Sequence, residues 1–226
     1  MEEMEFVLSE SEKIRLRLYP RDLGQVVECT GQTLWRGSEL LARWCWQQES
    51  NWGSCVELGC GLGLCSLALA RRRPEATIVA TDGDELAMEA LRENLKLNNS
   101  ESVAAKTLVW GDLETAGKLR NDFASDGFDA VVAADVVYNE SSVAPLLQTV
   151  KVLLKATGIF VLAFTHRGVN FETVLAAAKE ADLHLERRTV ASDNDGLVTS
   201  SLDCLALFRP TAALASRGGH IVVPPR

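Results

Sequence analysis

This sequence is poor in the residues that hold metals, grip nucleic acid or cross membranes. It has only three histidines, and its six cysteines (Cys29, Cys45, Cys55, Cys60, Cys65 and Cys204) form no Cys-x-x-Cys pair. That spacing gives no metal site and reads as free thiols in a reducing compartment. Basic residues number 23 against 31 acidic, a formal net charge of −8, so there is no cationic footprint for nucleic acid. An acidic surface suits a basic partner, and acidity is also a common route to solubility. No uncharged apolar run approaches membrane-spanning length, and Met1-Glu2-Glu3-Met4-Glu5 has the wrong charge for a signal peptide. The expectation is a cytoplasmic chain, also able to be nuclear, with no membrane association.

What is present centres on Cys55-Val56-Glu57-Leu58-Gly59-Cys60-Gly61-Leu62-Gly63, followed by Leu64, Leu67 and Leu69 at helical spacing. Glycines let a strand turn sharply into a helix and let a ligand lie against the main chain. A second apolar run, Ala76 to Thr81, ends on Asp82, 23 residues after Gly59. A carboxylate at that distance, at the tip of the second strand, is where a ribose hydroxyl pair is held. A dinucleotide fingerprint requires Gly-x-Gly-x-x-Gly, whereas this chain reads Gly-x-Gly-x-Gly after Glu57. A carboxylate before the turn repels a pyrophosphate and suits a cationic ligand. The cofactor expected is therefore S-adenosyl-L-methionine (SAM), with S-adenosyl-L-homocysteine as product, rather than NAD.

Taken in order, Lys13 to Tyr19 alternates polar and apolar and reads as a half-exposed strand, with Gln25 to Cys29 as its returning partner. Leu40, Leu41, Trp44 and Cys45 have helical spacing, so a helix leads into the core strand; Trp44 and Trp46 read as packing residues and Trp35 sits in the turn before that helix. Strands at 53–58, 76–81 and 103–110 then alternate with helices at 63–71 and 84–97. The stretch 111–126 is polar and ambiguous. Strands at 128–134 and 158–165 flank a helix at 142–155, and a helix at 170–181 precedes strands at 183–190 and 202–208. Alternating β and α elements imply an α/β fold: a doubly wound, seven-stranded, mostly parallel sheet closed by an antiparallel hairpin. The division expected is an N-terminal β-hairpin and helix extension at 1–50, a core at 51–209 and a mobile tail at 210–226.

Ligands in open α/β sheets sit at the carboxyl ends of the strands. Strand one delivers Glu57, Gly59, Cys60 and Gly61; strand two, Asp82; strand three, Trp110-Gly111-Asp112; strand four, Ala134-Asp135-Val136-Val137-Tyr138. Trp110 is placed to stack beside an adenine, or is a core residue at a strand end. Asp135 has no evident packing role, a helix cap being its alternative.

These segments resemble the seven-β-strand protein-lysine methyltransferases. The resemblance rests on Leu34-Trp35 before a helix, Glu57 to Gly63, Thr81-Asp82, Val109 to Asp112, Ala133 to Tyr138 with its Asp-x-x-Tyr tetrapeptide, and the Thr165-His166-Arg167 turn. It runs from about residue 13 to 209. The departures are a longish connection from Gly111 to Phe128 and Cys60 where many relatives have alanine. The resemblance implies methyl transfer to lysine Nε of a cellular protein such as a chaperone or translation factor, by a monomer acting on a basic or lysine-bearing segment. It implies that Trp35, Glu57, Gly59, Cys60, Gly61, Gly63, Asp82, Trp110, Asp112 and Ala134 hold SAM, and that Asp135 and Tyr138 face the substrate amine. A small-molecule methyltransferase and a non-catalytic SAM-binding module are the alternatives. An N6-adenine methyltransferase is disfavoured, because Val136 and Val137 stand where its paired prolines belong.

Overall fold

The computed structural model describes residues 2–18, 30–190 and 204–212. Its centre is a seven-stranded sheet of β3 (Ser54–Leu58), β4 (Thr77–Asp82), β5 (Ala104–Thr107), β6 (Phe128–Ala134), β7 (Leu154–Phe164), β8 (Leu183–Val190) and β9 (Cys204–Pro210), ordered β5-β4-β3-β6-β7-β9-β8. Pairings from β5 to β7 are parallel, while β9 runs antiparallel to both β7 and β8. The expected doubly wound sheet with its reversed closing strand is therefore present. The connection between β8 and β9 lies outside the described residues.

Alternate residues of each strand enter separate cores. Val56, Leu58, Val131 and Ala133 face α4 (Leu113–Phe123), α5 (Glu140–Leu153) and α6 (Phe171–Glu180). Cys55, Ala130, Val132 and Ala134 face α1 (Arg36–Gln47), α2 (Leu64–Arg72) and α3 (Glu85–Leu97). Covering both faces explains why β6 is apolar at every position but Asp129. It also puts the strands' carboxyl ends, and the loops that leave them, at one edge of the molecule.

Two expectations need correction. The polar stretch 111–126 contains α4, whose amphipathic signal is faint because only Ala116 and Leu119 are buried. Its start is set by Asp112, whose side chain accepts from the Thr115 N–H at 3.0 Å. The strand at 13–18 (β2) does lie in a hairpin, but its partner is β1 (Glu2–Val7), paired Glu2 to Leu18 and Val7 to Lys13. The returning strand expected at 25–29 lies outside the described residues, as does the tail beyond 212. The edge of β2 away from β1 is taken by α3. Asn98 Oδ1 accepts from the Arg15 N–H at 3.1 Å, and its Nδ2 donates to the Arg15 carbonyl at 2.7 Å.

At its carboxyl end α1 is held by Arg73. This buried guanidinium donates to the carbonyls of Cys45, Gln48 and Ser50 at 3.1 to 3.3 Å. Trp44 and Trp52 pack with ring centroids 5.9 Å apart, so Trp44 is the packing residue expected.

Candidate active site

A cleft of about 260 Å³ opens at the carboxyl ends of β3, β4 and β6. Of the residues expected there, Trp35, Gly59, Cys60, Gly61, Asp82, Trp110, Ala134, Asp135 and Tyr138 all line it. The sequence reading missed Thr30, Gly31 and Thr33 before α1, Ser38 in its first turn and Asp84 at the start of α3, which add to the wall.

The floor is the glycine turn. Gly59 has φ +67°, and a Cβ there would lie 2.7 Å from Val136 and 3.0 Å from Trp110. Gly61 has φ +49°, and its Cβ would meet the Gly31 carbonyl at 2.7 Å. Both positions thus require glycine for conformation and for space. Asp82 closes the second wall: its Oδ2 accepts from the Gly61 N–H at 3.0 Å and its Oδ1 from the Asp84 N–H at 3.1 Å. Burial raises its carboxyl above the usual range, against these backbone donors. Burial also raises the Cys60 thiol well up, which makes it a lining group without nucleophilic character.

Three expected cofactor residues stand outside the lining. Glu57 is 2% exposed beneath the turn, where its Oε2 accepts from the Ser66 N–H at 2.8 Å and the Ser66 hydroxyl at 2.5 Å. Burial pushes its carboxyl up to about 7. Gly63 is the left-handed residue (φ +81°) that starts α2. Asp112 caps α4 and is exposed to solvent. Glu57 and Gly63 hold the glycine turn from behind, whereas Asp112 serves the start of α4, none of whose residues lines the cleft.

The amine-facing pair is divided. Tyr138 is 54% exposed at the rim. The Asp135 side chain is 1% exposed: Oδ2 accepts from the Gly37 N–H at 2.6 Å, and Oδ1 pairs with Arg167 Nε at 3.4 Å. It therefore does have a structural role, as a cap on another helix. The Arg167 guanidinium lies 4.4 Å over the Trp35 ring, and Trp35 Nε1 donates to the Thr30 carbonyl at 2.8 Å.

Charge is lopsided. Among the described residues the lining contains Asp82, Asp84 and Asp135 and no lysine or arginine. The segments 82–91, 107–117 and 134–150, which leave the strand ends, also contain no basic residue. Such a cleft opposes pyrophosphate and accepts a cation.

This geometry has known counterparts. The sequence profile of the lysine methyltransferase family matches residues 21–181. The chain belongs to the lysine methyltransferase family. It is 28% identical over 158 residues to the calmodulin-lysine N-methyltransferase of Arabidopsis thaliana, covering 66% of this chain and 50% of that protein. It is 34% identical over 125 residues to the protein N-lysine methyltransferase METTL21A of Mus musculus, covering 54% of this chain and 55% of that one. The chain thus spans about half the length of these curated relatives. Among solved structures it resembles the ribosomal protein L11 methylase from Lactobacillus delbrueckii subsp. bulgaricus (TM-score 0.58, 15% identity, 91% of this chain and 98% of that one). It also resembles a TehB-like SAM-dependent methyltransferase from Corynebacterium glutamicum (TM-score 0.55, 22% identity, 81% and 92%). At these identities the likeness is one of fold.

Proposed function

We propose that this chain is a SAM-dependent protein-lysine N-methyltransferase. The observation that carries the reading is Asp82, a half-buried carboxylate at the tip of β4, bonded to the Gly61 N–H of a glycine turn in a cleft whose described lining has no basic residue. The residues fit the cofactor. Asp82 would take its ribose hydroxyls, the main chain at Gly59 to Gly61 leaves room for close approach, and the acidic lining suits its cationic groups. Trp110, whose ring edge meets Gly59, and Trp35 and Ala134 are its further contacts. Glu57 and Gly63 support those contacts by holding the turn in place.

When bound, SAM supplies a methyl group already activated on a sulfonium. The chain's own task is then to orient the acceptor and exclude water. A lysine ammonium has no lone pair, so the amine must enter neutral; walls such as Trp35 and Val136, which desolvate it, favour that form. Tyr138 at the rim offers a ring face and a hydroxyl to the amine. Asp135, with its side chain 1% exposed and both oxygens engaged, belongs to the wall against which the amine is oriented.

Support for a basic, lysine-bearing segment comes from the rim. Exposed Leu86, Val109, Leu113 and Tyr138 alternate there with Glu85, Glu114 and Glu140. These four are among only six exposed large hydrophobics of the described residues, which supports action as a monomer. The acidic rim equally disfavours nucleic acid as substrate. No disulfide joins the described cysteines, in keeping with the cytosol or nucleus, and among the described residues no helix is long and apolar enough to cross a membrane. The hairpin-and-helix region 1–50 serves as an extension that supplies one cleft wall to the core at 51–209.

Incubation with tritium-labelled SAM and a cell lysate tests this. Labelled protein bands that require native Asp82, with the label on methyl-lysine after hydrolysis, are the expected result. SAM binding without any labelled protein would overturn the protein-substrate assignment in favour of a small-molecule acceptor.

A further inference from the structure

We infer that Asp135 is a positioning residue whose carboxylate latches the segment 30–37 over the cleft, with Gly37 as its obligate partner and Arg167 as a second clamp. The inference deepens the methyl-transfer reading and rests on it for the identity of the ligand.

A helix leaves its first N–H groups without partners inside the helix, and a side-chain oxygen at its start commonly takes one of them. The residue in that position before α1 is Trp35, whose side chain makes no cap bond. The cap comes instead from 98 residues away, as Asp135 Oδ2 accepts the Gly37 N–H at 2.6 Å. The approach is so close that a Cβ at position 37 would lie 2.8 Å from both Cγ and Oδ2 of Asp135 and 3.2 Å from its amide nitrogen. Gly37 is therefore fixed by the carboxylate it meets.

Asp135 is itself held to this aim. It has φ +56°, a region that non-glycine residues seldom occupy, and its N–H donates to the Ala163 carbonyl at 3.0 Å. Its second oxygen pairs with Arg167, and Arg167 lies over Trp35, two residues before Gly37. The contacts form a closed circuit: Asp135 to Gly37, along the chain to Trp35, across to Arg167, and back to Asp135. What the circuit holds is a wall of the cleft, since Thr30, Gly31, Thr33, Leu34 and Trp35 all line it. A carboxylate so covered and so engaged acts on the reaction chiefly through the wall it holds in place.

The test compares Gly37→Ala, Asp135→Ala, their double variant, Asp135→Asn and Arg167→Gln. Two readouts are used: SAM affinity by calorimetry, and acrylamide quenching of Trp35 emission, taken as the difference from the same protein carrying Trp35→Phe. Gly37→Ala and Asp135→Ala are each expected to weaken SAM binding about tenfold and to make Trp35 more quenchable. The double variant should be no worse than either single one, because one contact is shared. Asp135→Asn, whose amide oxygen still accepts the Gly37 N–H while its amide nitrogen no longer pairs with Arg167, should fall between the native protein and Asp135→Ala in affinity. Arg167→Gln should raise Trp35 quenching.

Native quenching and affinity in Gly37→Ala, or an Asp135→Asn variant as impaired as Asp135→Ala, would overturn the latch and return the role to the charge of Asp135. If Gly37→Ala fails to fold, Asp135→Asn against Asp135→Ala decides. Should the native protein bind no SAM, the proposed function fails, while the quenching comparison, which needs no ligand, still tests the latch.

Discussion

Asn94 holds both polar atoms of one backbone residue, Arg17. Its Oδ1 accepts the Arg17 N–H at 2.7 Å and its Nδ2 donates to the Arg17 carbonyl at 3.4 Å, much as a neighbouring strand would. Asn98 does the same for Arg15, so α3 acts as the third strand of a two-stranded sheet. Asn94→Ala leaves a part-buried N–H and carbonyl without partners and is expected to destabilise the chain by about 1–3 kcal/mol. Denaturant midpoints measure the loss, and amide exchange at Arg17 should quicken. An unchanged midpoint would mean that water replaces the amide at no cost.

Glu57 makes stability depend on pH. Its carboxyl is pushed up to about 7 by burial, from the 4.5 of an unperturbed glutamate. Between those values the folded chain keeps a proton that the unfolded chain releases, so stability falls as pH rises from about 4.5 to about 7 and is then level. The raised carboxyl of Asp82 acts with the same sign. Glu57→Gln still accepts from Ser66, removes the Glu57 share of this slope, and should exceed native stability at pH 8 by about 1–3 kcal/mol. Denaturant titrations at several pH values check it, and a native slope of opposite sign would exclude the account.

Asp82→Asn keeps an oxygen for one of its two backbone donors but loses the charge. SAM affinity should drop by about 10- to 100-fold, the loss of one to two charge-assisted hydrogen bonds. Calorimetry gives the value. A drop below about threefold would place the ribose elsewhere.

Burial raises the thiols of Cys45, Cys60 and Cys65 well above their usual range and that of Cys55 to about 12. An alkylating reagent is expected to label all four only in step with global unfolding. Peptide mapping along a denaturant series reads this directly. Early labelling of Cys60 alone would show that the glycine turn opens locally.

Much of this was legible in the sequence because period and punctuation are local. The nearly continuous apolar run at 128–134, the glycine turn and Asp82 at the end of its strand each specify their surroundings within a few residues. What could not be read depends on distant partners. α4 buries little beyond Ala116 and Leu119, too few contacts to leave a pattern. β2 alternates as a strand should, yet alternation does not name its partner, and the amides that cover its far edge lie some 80 residues on. Asp135 looked free because the helix it caps begins 99 residues earlier. The one local sign was a helix starting after tryptophan, with no Ser, Thr, Asp or Asn in the capping position.

Both ends of α1 are finished by side chains from elsewhere, Asp135 at its start and Arg73 at its end. During synthesis this helix leaves the ribosome first, and its capping carboxylate follows 98 residues later. The turn that carries Trp35 is therefore among the first parts of the cleft to be translated and among the last to be secured. The nascent chain must hold that wall unfinished until β6, and then Arg167, have emerged.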